Sequence, residues 1–588
     1  MASLRRSSVH SPQLTANAPC GGRSSGNVTP AGFSSDVDHV AVPPRPAVAV
    51  STFTRGKGNV LEDDQHRLKL RLKPEETVVL VGEYDLEVPQ GVVTIYGAML
   101  HSGLGSQKVY APSTSALPTI TAKRDGTVIL LTSCATRGLS QLERLSPMFR
   151  SIFARDDAKG RSFVLLSSTA DDPLNRALTP LDTDEQVKKV LSRLSAKLDS
   201  SPAVRTMAVG PKSSGKSTFN RLVCNMITSK AGIQKCLYLD LDPGQPEFGP
   251  PGQLSLVEVR APILGPAFTH PASIQSRTFR VVRSHTLAAT TFKDDPEHYL
   301  QCASDLVRRA PRDVPLVVNS CGWVSGLGAD VLSSLTTALL ISDIVFLEPI
   351  DDDVVESLSA LVSNQVHRVP RRQRQPGMRS PAELRAMQTM AYFHHKPTST
   401  NAKWISKPLS SMRHLALPYS VEVAGVRAIL SYGQAPHPDF LAETVEGAVV
   451  AVVVLEDSDC LTTNDIAYTL EENLPYIPPN NTGHTPALDP GNSHCIGLAL
   501  VQAIDKDNKV LQLLTPIAER DLVGIDRNSS IVLVRGSFDS PDWAYQEDLF
   551  AGDDAMDEDR PWVNRRADVG IEGAIWRLRH PPMAKDVR

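Results

Sequence analysis

No Cys-x-x-Cys pair occurs in this sequence, although it holds eight cysteines, at positions 20, 134, 224, 236, 302, 321, 460 and 495. Their scatter argues against a disulfide framework and against a structural zinc site, and it fits a reducing compartment. No run of about 18 apolar residues is present, so a membrane span is not expected. The opening residues, MASLRRSSVHSPQ, lack the apolar stretch of a secretory signal. There is no large excess of either charge: 61 basic against 65 acidic residues give a net charge of −4. Any nucleic-acid site must therefore be a local basic patch rather than a property of the whole surface. A guanine-reading Asn/Thr-Lys-x-Asp motif is not evident, and no internal repeat is found.

What is present is ample chain. At 588 residues, about three or four domains are expected. Residues 1–45 are rich in Ser, Pro, Gly and Ala. They cannot bury enough apolar surface to offset chain entropy and read as a disordered tail. From 46 to 183 short β-rich runs punctuated by Gly and Pro predict a β-sandwich or small barrel, with strands over 127–133 and 162–168. No catalytic constellation lies there, so this region reads as structural or docking. Residues 184–198 carry helical periodicity. From about 200 to 415, strand and helix alternate, and apolar strands such as KCLYLDLD, VPLVVNS and ISDIVFLE suit a parallel sheet covered on both faces. The fold class is therefore α/β with a central P-loop core, and short strands return in a C-terminal β-rich domain over 416–588.

The strongest chemical signal is Gly210-Pro211-Lys212-Ser213-Ser214-Gly215-Lys216-Ser217-Thr218. It satisfies GxxxxGK[ST] between an expected strand and an expected helix. Backbone N–H groups of such a loop form an anion nest, and the helix N-terminus adds partial positive charge. Lys216 reaches phosphate oxygens and the Ser217 hydroxyl can ligate Mg²⁺. One strand later comes Leu239-Asp240-Leu241-Asp242-Pro243-Gly244-Gln245. Carboxylates at i and i+2 project from the same side of a strand. One of them can serve a metal shell and one can take the proton of an attacking hydroxyl.

A third signal is the arginine-rich segment with Arg368, Arg371, Arg372, Arg374, Arg379 and Arg385. Ser380-Pro381-Ala382-Glu383 is a capping box with Pro at the first helical position, so a helix is predicted to start there. Such a segment, near 368–395, suits a phosphate lid or RNA contact, although a solvated basic loop would look the same. Fourth, Asn319-Ser-Cys-Gly322-Trp323 follows the strand VPLVV, where glycine lets a ligand approach and Trp323 can stack on a terminal base or belong to the core. His298, His394 and His395 are not spaced as metal ligands.

The combination GPKSSGKST, YLDLDPGQPEF and NSCGWVSGLG resembles the eukaryotic polynucleotide 5′-hydroxyl-kinase (Clp/Grc) family. Gly265-Pro-Ala-Phe-Thr-His-Pro271 and Pro296-Glu-His-Tyr299 resemble its ribosomal-RNA-processing, Grc-type branch. The resemblance implies a central kinase domain between two β-rich domains, with transfer of the γ-phosphate of ATP to a 5′-OH RNA end. It implies that Lys216 and the 210–218 loop bind ATP, and that Ser217 with Asp240 holds Mg²⁺. Asp242 then activates the 5′-OH, Gln245 supports the metal and water shell near the RNA, Arg385 acts from the lid, and Trp323 lies at the nucleic-acid end. It further implies a nuclear, nucleolar complex with a Las-type endoribonuclease that cuts the internal transcribed spacer, contacted through the tail Gly573-Ala-Ile-Trp576-Arg-Leu-Arg579. The alternative is an ATP-binding scaffold of an RNA-cleavage complex without phosphoryl transfer. A switching P-loop ATPase or GTPase is a third reading.

Overall fold

The computed structural model describes residues 47–551 apart from 135–137, 155–159, 202, 234, 275, 363–365, 371–378, 397–402, 420–424, 458–459, 463–464, 482 and 524–529. The expected tail at 1–45, Arg371, Arg372, Arg374 and the 573–579 segment lie outside the described residues.

The β-rich runs between 60 and 166 form one nine-stranded sheet. Its organiser is the 14-residue strand Thr77–Gln90, which pairs with four others. Its first half, Val78–Tyr84, is buried on both faces, and exposure alternates only beyond Asp85, where one face reaches solvent.

The central layer is a seven-stranded sheet. Its strands are β1 (Arg205–Val209), β2 (Cys236–Asp240), β3 (Gln253–Val259), β4 (Phe279–Thr286), β5 (Leu316–Asn319), β6 (Asp343–Leu347) and β7 (Val366–Val369), in the order β4-β3-β2-β5-β1-β6-β7. Five are parallel, and every residue of β1, β2, β5 and β6 is buried, as their apolar runs require of strands covered on both faces. β3 and β4, which the strand–helix alternation did not reveal, run antiparallel at one edge. The reason is local: residues 241–252 between β2 and β3 carry no helix, the element that usually makes a parallel return.

Helices α1 (Glu185–Ser200), α2 (Lys216–Thr228), α3 (Pro296–Arg308), α4 (Leu327–Ala338), α5 (Asp352–Ala360) and α6 (Pro381–His394) accompany the sheet. α1 is capped by Asp184, whose carboxylate accepts from the Val187 N–H at 2.8 Å, and it buries Val187, Val190, Leu194 and Leu198, one stripe at helical spacing. α6 begins where its capping box predicts: Ser380 Oγ accepts from the Glu383 N–H at 3.2 Å, and Glu383 accepts from the Ser380 N–H at 2.7 Å.

Both flanking β regions are stitched into this core. The Asn225 amide of α2 donates to the carbonyls of Tyr96 and Ile263, each at 2.9 Å, and its oxygen accepts from the Ile263 N–H at 2.7 Å. On the other side lies an eight-stranded sheet built from 415 to 535. Arg283 of β4 is buried there, pairing with Asp305 of α3 at 2.6 Å and with Glu456, and donating to the Pro490 and Ser493 carbonyls at 2.8 and 2.9 Å. The helix Asp542–Ala551 returns to α6, where Glu547 and His394 meet at 2.7 Å with both side chains fully buried. Among the described residues no helix is long and apolar enough to cross a membrane.

Candidate active site

The 210–215 loop joins β1 to α2 at the C-terminal end of the sheet, where open α/β sheets place their ligands. Ser213 has φ 62° and Gly215 φ 101°. These left-handed residues curl the chain so that successive N–H groups turn inward, a conformation glycine adopts without strain. Lys216 opens α2 and is buried; its ammonium donates to the Gly210 carbonyl at 2.8 Å and the Pro211 carbonyl at 3.0 Å. Burial pushes its pKa below the usual lysine range, and the nearby Asp242 carboxylate opposes that shift. Ser214 is buried with its hydroxyl unpartnered, while Lys212, Ser213 and Gly215 are exposed and Pro211, Ser217 and Thr218 are half-buried. A nest of N–H groups, a lysine, a helix N-terminus and a spare hydroxyl together fit a nucleotide's phosphates.

The two acids at the end of β2, Asp240 and Asp242, have different settings. Asp242 is half-buried, and its Oδ1 accepts from the N–H groups of Gly244 and Gln245 at 3.0 and 3.2 Å. Asp240 has no exposure at all: Oδ1 accepts from the Asn319 amide at 2.9 Å and Oδ2 from the Glu247 N–H at 2.5 Å. Burial raises its pKa to about 8 against those two hydrogen bonds. The expectation of Asp240 as a direct metal ligand thus meets a different geometry. The carboxylate faces inward and braces the loop, and Asp242 is the acid whose charge Lys216 feels. Between them Leu241 is pinned at both ends, since its N–H donates to the Asn319 carbonyl at 3.0 Å and its carbonyl accepts from the Tyr299 hydroxyl at 2.9 Å. Tyr299 belongs to the Pro296–Tyr299 motif, so that motif acts here by holding the acid loop.

Gly322 abuts the P-loop itself. A Cβ there would lie 2.9 Å from the Lys212 backbone nitrogen and 3.0 Å from its Cα. The close approach read from the sequence as room for a ligand is taken by the phosphate loop. Trp323 is half-buried; its ring lies 5.3 Å from Phe292, which stacks on Tyr299 at 4.3 Å, and Lys293 Nζ sits 4.9 Å from the Trp323 ring centre. Trp323 thus packs on the core with one face and carries a cation on its ring. Gln245 is half-buried beside Asp242.

α6 reaches the same loop by another residue than the one singled out. Arg385 is half-buried and its Nε pairs with Asp539 at 2.5 Å. Arg379 pairs with Glu383 at 3.1 Å and donates to the Met148 carbonyl at 3.3 Å, and Arg368 is held by Asp352 at 2.5 Å. It is Gln388, one turn after Arg385, that touches the loop, donating to the carbonyls of Pro246 and Gly249 at 2.7 and 2.6 Å. Glu247 stands in the sequence only as part of the YLDLDPGQPEF motif. It is buried, and its carboxylate accepts from Arg221 of α2 at 2.8 and 3.1 Å and contacts His270 Nε2 at 3.1 Å. An acid beside an apolar residue gives no local sign of such partners.

Residues 210–395 match the family described as mRNA cleavage and polyadenylation factor CLP1 P-loop. A polynucleotide 5′-hydroxyl-kinase GRC3 from Gibberella zeae is 37% identical over 529 residues, covering 83% of this chain and 73% of the relative. The protein of the same name from Aspergillus niger is 34% identical over 595 residues, covering 88% and 72%. A solved structure of wild-type Clp1p in complex with Pcf11p is 15% identical, covers 80% of this chain and 99% of its own, and has a TM-score of 0.48. With the phosphate loop, the facing acid and this extent of identity together, the chain belongs to the polynucleotide 5′-hydroxyl-kinase GRC3 family and is a kinase.

Proposed function

We propose that this kinase transfers the γ-phosphate of ATP to the 5′-hydroxyl end of RNA. The observation that carries the reading is Asp242, a partly exposed carboxylate on the loop after β2 whose charge is felt by Lys216 of the phosphate loop. The 210–218 backbone and Lys216 hold the phosphates. Asp242 accepts the proton of the 5′-OH as that oxygen bonds to the γ-phosphorus and the bond to the β-phosphate bridging oxygen breaks, leaving ADP and a 5′-phosphorylated end. The Ser217 hydroxyl at the start of α2 suits Mg²⁺ as an oxygen donor, with Asp240 bracing the acid loop behind it. A bound Mg²⁺ supplies charge neutralisation on the phosphate oxygens. Arg385 serves from α6 and Trp323 with Gln245 at the RNA end.

The biological setting is part of the same proposal. The RNA end is one left by a Las-type endoribonuclease in the internal transcribed spacer of pre-rRNA, in the nucleolus. Support comes from the resemblance of the 265–271 and 296–299 motifs to the Grc-type branch. The test is γ-phosphate transfer from labelled ATP to short RNAs bearing 5′-OH or 5′-phosphate ends, with and without the nuclease, using wild type and Lys216→Ala. Label confined to 5′-OH ends and lost in Lys216→Ala is the expected result. ATP binding without transfer under any condition would leave the scaffold role instead.

A further inference from the structure

The loop from Pro246 to Gly249 is gripped from two sides, by α2 and by α6. From the phosphate side, Arg221 of α2 holds the Glu247 carboxylate at 2.8 Å, and the guanidinium lies 5.8 Å from the Tyr96 ring. From the α6 side, Gln388 holds the carbonyls that flank Glu247 and Phe248. His270 of the 265–271 segment completes the carboxylate's shell at 3.1 Å, and the Phe248 ring packs 5.3 Å from that histidine. The Glu247 N–H in turn donates to Asp240, two residues from Asp242. Burial would raise the Glu247 pKa, but Arg221 and His270 hold it below the usual carboxylate range. The ionised carboxylate is thus a fixed post between α2, the acid loop and the 265–271 segment.

We propose that Glu247 is a positioning residue for phosphoryl transfer, with Arg221 and Gln388 as its two anchors, setting Asp242 relative to the phosphate loop. A displacement of about 1 Å at a reacting group can reduce the rate about a hundredfold without any lost substrate contact. Glu247 touches neither substrate in this arrangement, so its effect belongs in kcat. The proposal rests on the reading that Asp242 stands at the reacting centre.

The experiment uses the full chain with ATP and a 5′-OH RNA, measuring kcat, both KM values, ATP affinity and melting temperature. Glu247→Gln keeps the shape and the backbone N–H but removes the charge facing Arg221. It is expected to lower kcat about tenfold to a hundredfold while the KM for ATP moves less than about threefold. Adding Arg221→Gln removes the stranded charge and is expected to restore at least about a third of the loss on a logarithmic scale. Gln388→Met, which keeps the bulk of the side chain and loses its donors, tests the other anchor without a buried charge, and a kcat loss of about tenfold with an unchanged KM for ATP is expected. Wild-type kcat in both Glu247→Gln and Gln388→Met overturns the proposal. So does a loss of kcat that follows ATP affinity and melting temperature down together and is not eased by the second substitution. Asp242→Asn is run beside them. If it keeps full activity the assignment of the reacting centre fails, whereas a dead Asp242→Asn with Glu247→Gln and Gln388→Met both unperturbed fails the positioning role alone.

Discussion

The phosphate loop and the acid loop stand side by side at the ends of β1 and β2, and they are held in opposite ways. The 210–218 loop makes its site from backbone: Lys212, Ser213 and Gly215 are exposed, and shape comes from left-handed residues and one close glycine contact. The 240–249 loop is held by side chains from α2, α3, β5 and α6, namely Arg221, Tyr299, Asn319 and Gln388. A backbone cradle can bind phosphate with most of its side chains replaced. A loop held by distant side chains places one acid accurately but depends on every holder. Affinity should therefore reside in the first loop and rate in the second.

The largest expected effect comes from the acid. Asp242→Asn should lower kcat about 10³-fold and leave ATP affinity nearly unchanged, measured by initial rates and calorimetric titration. Lys216→Ala should lower kcat about 10²-fold and also weaken ATP binding; a variant that bound ATP normally would break the division between the loops. Arg385→Ala should cost about tenfold in kcat, and Asp539→Asn, which only releases the guanidinium, less than about threefold. Equal losses in the two would show that the Arg385–Asp539 pair matters as a brace and not as a phosphate contact. The smallest effect is on stability. Asp240 keeps, when folded, a proton that the unfolded chain loses, because burial raises its pKa from 3.8 to about 8. Its contribution to stability is full below about pH 4 and is lost as pH rises through about 8. Melting temperature should fall more steeply between about pH 4 and 8 in wild type than in Asp240→Asn, and parallel slopes would remove Asp240 as the cause.

Legibility in the sequence follows the same division. The phosphate loop, the α6 start and the apolar strands of the core are set by neighbours within a few residues, and those were read correctly as elements. The antiparallel course of β3 and β4 is not legible because its cause is a connection without a helix and not a composition. The Arg385–Asp539 pair joins residues 154 apart in sequence, and Gln388 meets Pro246 across 142. Nothing near Asp539 or Gln388 announces such partners. The same holds for Asp240 and Asp242, which look alike in the sequence and differ only in what folds over them.

Asn225 draws one practical boundary. The amide on the helix that holds the phosphates is committed to both Tyr96 and Ile263, and a chain cut near 184 would remove the Tyr96 acceptor while keeping Ile263. Leaving such groups unmet costs about 1–3 kcal/mol each, a large part of a domain's margin. The kinase core is therefore no portable cassette. Fragments that keep the whole motif from 210 to 395 but omit the N-terminal sheet should be soluble poorly or fold loosely, and grafting that motif onto another scaffold means carrying Tyr96 along with it.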